Sequence, residues 1–369
     1  MIIAVESIEA REKLLFSGQN PQDISVLTIN ASWFCPVKCS YCHITEKASL
    51  DDRDIIPKEV LAKELALAKN YRVTEIRFSG GDPVALGDKL FEYADLVYDT
   101  TGKRPDLLTS GIGINTRWMN KARGRFSGIY VSVENPLEPI QTVVDNKTIM
   151  QIIRENVSDE LPFRYGLTLV DAEHFKHIES IFDLLYENAN RQFMPQLDYP
   201  CLKGFIVPNS SQLTDVYKAT KSLFAKYGLI PYYFVNLVGS PVFMSKDALR
   251  FVLNLHPDGK YDIYDTMAEA WEYSYKFKTY AQKVQNQSGK CGKCEWKAVC
   301  KFHESGRIMY DWCDLRMAIF RGMYEGLVLD KSADLNRGQS FIDFLKTNST
   351  IQEAISYIST TTGMSTGTG

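Results

Sequence analysis

Three cysteines near the front of the chain are spaced for metal chemistry. They lie in Trp33-Phe34-Cys35-Pro36-Val37-Lys38-Cys39-Ser40-Tyr41-Cys42-His43, a C-x3-C-x2-C pattern. Three thiolates on one short loop suit three irons of a cubane cluster and leave the fourth iron without a protein ligand. Ordinary ferredoxin-type sites use four cysteines. A structural zinc site also takes four ligands, with His43 available as one, but the spacing favours iron–sulfur. Four more cysteines, Cys291, Cys294, Cys300 and Cys313, follow a C-x2-C-x5-C-x12-C pattern. Four thiolates can close a cluster completely or hold a structural zinc, and spacing alone does not separate the two.

The rest of the sequence must position these ligands. Its 369 residues are 45% hydrophobic with a formal net charge of −3, a soluble globular composition. No basic excess points to nucleic acid, and no apolar run is long enough for a bilayer. The start Met1-Ile2-Ile3-Ala4-Val5-Glu6 lacks the charged and apolar regions of a signal peptide, so a cytoplasmic protein is expected. Of eight cysteines, only Cys201 stands outside the two clusters, and it reads as buried filler.

Short apolar runs alternate with helical stretches. Strands are predicted at 25–30, 75–78, 107–109, 128–133, 164–170 and around 205–207. Helices are predicted at 57–70, 89–98, 147–156, 174–188 and 212–227. That alternation predicts parallel β/α units. The cysteine loop follows the first strand, where parallel barrels place their sites. Ser79-Gly80-Gly81-Asp82-Pro83 follows the second strand, and its paired glycines permit a sharp turn. Arg164 could face a ligand carboxylate or pair on the surface, the surface reading being slightly preferred, and His174 and His177 read as surface residues on an outer helix.

The loop and the Gly-Gly-Asp-Pro run together resemble the signature of the radical S-adenosylmethionine (SAM) superfamily. The resemblance implies an α/β fold, a partial (β/α)6 TIM-like barrel. It also implies a [4Fe-4S] cluster on Cys35, Cys39 and Cys42, whose open iron chelates SAM. Tyr41 fills the family's aromatic place beside adenine. Gly80, Gly81 and Asp82 match the motif that holds the SAM amino group, with Asp82 in place of the usual Glu. On that footing Asp82→Glu is expected to be tolerated. Ser132 and Glu134, at the end of the fourth strand, match places where the family sets ribose-binding polar residues.

The second cysteine cluster resembles the end of a SPASM domain. That likeness implies one auxiliary [4Fe-4S] cluster on Cys291, Cys294, Cys300 and Cys313. Two family ligand positions are occupied by Tyr264 and Glu304, so the inner cluster has lost ligands. The freed volume would lie beside the barrel mouth, and either residue is a candidate catalytic proton acceptor. The expected domains are a barrel over 1–235, a small C-terminal auxiliary-cluster domain over 236–329, and a C-terminal helix and disordered tail over 330–369.

The implied function is cleavage of SAM to a 5′-deoxyadenosyl radical and hydrogen abstraction, most often from a ribosomally synthesised peptide or protein. Oxidation of a small molecule such as an amino sugar is the alternative enzyme reading. An iron–sulfur or zinc scaffold is the non-enzyme reading. Flavodoxin or ferredoxin is the expected electron donor. Since only about two dozen residues precede the first strand, a separate peptide-recognition protein or direct leader binding is expected.

Overall fold

The computed structural model describes residues 2–5, 24–37, 39, 42, 54–69, 73, 75–133, 140–168, 175–191, 195–198, 209–228, 251–265, 294–296 and 313–328. Tyr41, Glu134, His174, Cys201, Cys291, Cys300 and Glu304 lie outside them. So do the expected strand at 205–207 and everything expected after residue 328.

In sequence order the elements are β1 (Ile2–Val5), β2 (Ile24–Ser32), α1 (Lys58–Ala68), β3 (Glu75–Gly80), a 3-10 turn (Pro83–Leu86) and α2 (Asp88–Thr101). There follow β4 (Asp106–Thr109), α3 (Thr116–Ala122), β5 (Gly128–Val133), β6 (Val143–Val144), β7 (Lys147–Thr148) and α4 (Ile149–Asn156). The remainder are β8 (Phe163–Thr168), α5 (Ile178–Asn188), β9 (Gln196–Asp198), α6 (Ser210–Tyr227), β10 (Phe251–Leu255), β11 (Tyr261–Asp265) and α7 (Cys313–Leu327).

Polar caps start several helices. Asn115 accepts from the Trp118 amide at α3, Thr148 and Gln151 form a capping box at α4, and Asn209 and Gln212 form another at α6. The helix expected from Lys147 begins two residues later. Lys147 and Thr148 first pair with Val144 and Val143 in a two-residue ribbon.

One sheet runs in the order β1-β11-β10-β2-β3-β4-β5-β8-β9. Every pairing from β10 across to β9 is parallel. The six strands β2, β3, β4, β5, β8 and β9 advance in one direction with crossovers between them. Right-handed crossovers in one direction put all the helices on one face. Leu27, Ile29, Phe78, Val131 and Leu167 form that face, in one core with Leu65, Leu90, Trp118, Ile153 and Phe182 from the helices. Each such buried side chain contributes roughly 1.5–3 kcal/mol. This is the α/β partial barrel expected, with β9 at 196–198 as its sixth described parallel strand.

Period-two alternation sends the other residues into the lumen. Thr28 and Asn30 face it from β2, Arg77 and Ser79 from β3, Tyr130 and Ser132 from β5. A closed barrel usually fills this space with bulky branched side chains. Here polar and small residues line it.

Two features tie the later elements to the barrel. The β10–β11 hairpin extends the sheet along β2, with Val252 opposite Val26 and Leu255 opposite Ile29. Helix α7 packs on α6 through two glycines. A Cβ at Gly322 would lie 2.8 Å from the Tyr217 carbonyl oxygen, and one at Gly326 would lie 2.6 Å from that of Lys221. Glu325 seals the pair by accepting from Tyr217, Lys221 and Arg321. Burial acts upward on its carboxyl, but those three hydrogen bonds hold it at about 2.

Gly326→Ala is expected to force α7 off α6 and to lower stability by about 1–3 kcal/mol. Denaturant unfolding measures this, and a loss within a few tenths of the parent would mean the helices are not in close contact.

Candidate functional site

The site is assembled at the carboxyl ends of β2, β3 and β4. Past Ser32 the backbone leaves β2 through Trp33 and Phe34 into the cysteine loop. The Ser32 hydroxyl accepts from the Phe34 amide at 3.0 Å and shapes that exit. The end of β3 then holds it by backbone alone. The Gly81 amide donates to the Ser32 carbonyl at 2.7 Å, and the Asp82 amide donates to the Phe34 carbonyl at 2.8 Å. Both glycines are required. Gly80 has φ +109°, and a Cβ there would lie 2.5 Å from the Ser32 carbonyl oxygen. A Cβ on Gly81 would overlap the Phe34 carbonyl group. In this structure the glycine pair is thus the seat of the cysteine loop.

Cys35, Cys39 and Cys42 are all half-buried and in no disulfide, and the Cys42 amide donates to the Cys39 carbonyl at 3.2 Å. Burial raises the Cys35 thiol above its usual range. A hydrogen bond from the Val37 backbone opposes the rise, and the charges of Asp82 and Cys42 add to it. Cys35 thus lies near enough to Cys42 and to the Asp82 carboxylate to feel their charge, and thiolates are the ligands an iron–sulfur cluster takes. The donor chemistry therefore fits an iron–sulfur cluster. Among the described residues no three His, Cys, Asp or Glu side chains are already gathered around one metal position.

Asp82 is 2% exposed and its oxygens already have donors. Oδ1 accepts from Thr109 Oγ1 at 2.6 Å and from the Val84 amide at 3.1 Å. Oδ2 accepts from the Ser110 amide at 3.1 Å and from the Ser110 hydroxyl. Burial raises the carboxyl, while the bonds from Ser110, Thr109 and Val84 pull the other way. Asp82 therefore caps the 3-10 turn and clamps the end of β4 to the end of β3. Its backbone meanwhile holds Phe34.

The hairpin brings a residue that sequence reasoning missed. His256 follows β10 at the same end of the sheet as the cysteine loop. Its Nδ1 lies 3.3 Å from Asn30 Nδ2, and its ring lies 5.1 Å from that of Trp33. The sequence reads His256-Pro257-Asp258-Gly259 only as a turn, because a register across more than two hundred residues leaves no local trace.

Tyr264 is corrected by the same register. It lies on β11 opposite Val252, which lies opposite Val26 at the start of β2. Six residues of β2 separate that level from Ser32, roughly 20 Å. Tyr264 is at the far end of the sheet from the cysteine loop, not beside the mouth. Ser132 is exposed near the end of β5, opposite Gly166. Of the second cluster, Cys294 and Cys313 are half-buried and in no disulfide. Trp296 beside Cys294 packs on Phe320 and Tyr324 of α7, which begins at Cys313. His177 is exposed, as expected.

Arg164 is not a surface pairing residue. It faces the lumen, where its Nη1 donates to the Tyr130 hydroxyl at 2.7 Å. Arg77 lies on the same face, ion-paired with Glu75 and opposite Asp106 in register. Burial pushes the Glu75 carboxyl up to about 7, Arg77 opposing and Asp106 adding. Burial likewise pushes the Tyr130 phenol up to about 12, Asp106 adding while Arg164 and Arg77 oppose.

Residues 29–185 match the family model described as the Radical SAM superfamily, a span that takes in the cysteine loop and the glycine pair. The match supports a radical SAM domain there. Among solved structures, hexahistidine-tagged anSMEcpe with bound AdoMet is similar at 15% identity and TM-score 0.56, over 83% of this protein and 98% of that one. Native anSMEcpe with bound AdoMet is similar at 17% identity and TM-score 0.51, over 91% and 100%. At these identities the likeness shows a shared fold. No curated protein matches the sequence.

Two outcomes are expected. Contrary to the sequence reading, Asp82→Glu should destabilise by about 1–3 kcal/mol, since a further methylene must enter a filled, fully bonded space. Denaturant unfolding of the metal-free protein measures it, and parent-like stability would mean the carboxylate is not enclosed. Glu75→Gln should behave oppositely. A carboxyl raised from about 4.3 when unfolded to about 7 when folded costs stability as pH rises between those values. The variant should gain roughly 2–3 kcal/mol on the parent between pH 4.5 and pH 8. A pH-independent difference would remove Glu75 as a strained group.

Proposed function

We propose that this protein is a radical SAM enzyme that modifies a ribosomally synthesised peptide or protein. The observation that carries the first half is the family match over residues 29–185, which takes in the C-x3-C-x2-C loop. The likeness of the later cysteines to a SPASM domain supports the second half.

In this reading Cys35, Cys39 and Cys42 hold a [4Fe-4S] cluster, and Cys291, Cys294, Cys300 and Cys313 hold an auxiliary one. Bound there, cluster and SAM supply a 5′-deoxyadenosyl radical able to take hydrogen from an unactivated C–H bond. The protein's own task is positioning. Gly80 and Gly81 fix the loop, and Asp82 acts as a positioning residue through Thr109 and Ser110. Ser132, Glu134 and the Tyr41 backbone are the candidates for the nucleoside. Glu304 remains the candidate proton acceptor. Electrons come from a flavodoxin or ferredoxin.

Anaerobic reconstitution is expected to give about eight irons per polypeptide, the content of two [4Fe-4S] clusters. A Cys35→Ala, Cys39→Ala, Cys42→Ala triple variant should keep about half the iron and lose SAM cleavage. Adding SAM should shift the electron paramagnetic signal of the reduced parent and leave that of the triple variant unchanged. A protein that takes up zinc and refuses iron would overturn the reading.

A further inference from the structure

We propose that the floor of the lumen, built by Arg77, Tyr130 and Arg164, binds a carboxylate of the substrate, either an acidic side group or a peptide's carboxyl terminus. The proposal deepens the enzyme reading and rests on it for the word substrate.

Two donors on this floor lack acceptors. Arg77 Nη2 is engaged by Glu75, but Arg77 Nε is buried with no hydrogen-bond partner among the described residues. Tyr130 receives a hydrogen bond from Arg164 Nη1, so its oxygen is engaged as an acceptor. No described residue accepts the Tyr130 proton. A buried donor without an acceptor forfeits the hydrogen bond it had to water. A carboxylate is acceptor-only with two oxygens, which matches an N–H and an O–H on one surface. Tyr130 is opposite Arg164 on the next strand, and Arg77, across β4 and two residues lower, is near enough for its charge to act on Tyr130.

Arg77 and Arg164 bring positive charge to the floor, Arg77 paired with Glu75 and Arg164 bonded to Tyr130. Above the floor, no described residue lies within 4 Å of the place a Cβ would take on Gly166, two residues beyond Arg164. Arg77 is three residues below Gly80, roughly 10 Å at strand spacing. The floor is thus a subsite distinct from the turn that seats the cysteine loop. A substrate anchored there would present to the mouth a carbon several bonds from its carboxylate.

Arginine footprinting with phenylglyoxal on the reconstituted full-length protein tests this, read by peptide mass spectrometry at Arg77 and Arg164. The probes are N-acetylglutamate α-amide for a glutamyl carboxylate and N-acetylalanine for a terminal one, with N-acetylglutamine amide as the uncharged control. At least one carboxylate should slow modification fivefold or more while the control does not, and the one that protects identifies the source. Protection should drop severalfold in Tyr130→Phe. Equal protection by the control, protection by neither carboxylate, or full protection in Tyr130→Phe would each overturn the proposal. Iron content and SAM cleavage, measured on the same parent preparation, report separately on the enzyme reading. A parent that binds iron and cleaves SAM but shows no protection refutes the subsite alone.

Discussion

There is no room for a side chain where β3 ends. The backbone of Gly80 and Gly81 lies directly against the carbonyls of Ser32 and Phe34, and two short amide hydrogen bonds hold it there. Everything that follows at the mouth depends on that contact. It fixes the direction in which the backbone leaves β2, hence the start of the cysteine loop. It also sets the orientation of Asp82, whose carboxylate carries the same restraint across to Thr109, the last residue of β4, and to Ser110 just beyond it. Three consecutive strand ends are locked by one residue pair and one carboxylate.

The lumen is organised by the opposite condition. The helix-facing side of the sheet is close-packed and apolar, and its stability comes from burial. The lumen side gives up that gain, since charged and small residues occupy places a packed barrel would fill with valine and isoleucine. Burial there raises the Glu75 carboxyl to about 7 and the Tyr130 phenol to about 12. Such departures concentrate where a protein has work other than folding.

The βα alternation was legible because each strand is a short apolar run and each helix repeats at its own period. The cysteine loop and glycine turn were legible because spacing carries their meaning. Other features had no local signal. Helix α3 is seven residues long and β9 is three, too short for periodicity to register. The sequence leaves Arg164 open between solvent and a ligand carboxylate, because alternation distinguishes two faces of a strand without saying which is wet. The role of Asp82 depends on donors at Thr109 and Ser110, and that of Tyr264 on a register set through β10. Both are decided by pairings between distant parts of the sequence.

The hairpin that borders β2 has a consequence for biosynthesis. Ile2 pairs with Tyr264, so the first strand has no partner until most of the protein has been made. At translation rates of about 5–20 residues per second, that wait is on the order of ten to fifty seconds. Throughout it the outer edge of β2 is open, since its neighbour β10 emerges only shortly before β11. An open parallel edge is a template for pairing with other chains. The barrel strands from β2 to β9 can assemble vectorially as they leave the ribosome, while closure of the β2 edge is left for the last stage. The half-finished sheet therefore offers that edge to other nascent copies for most of its synthesis.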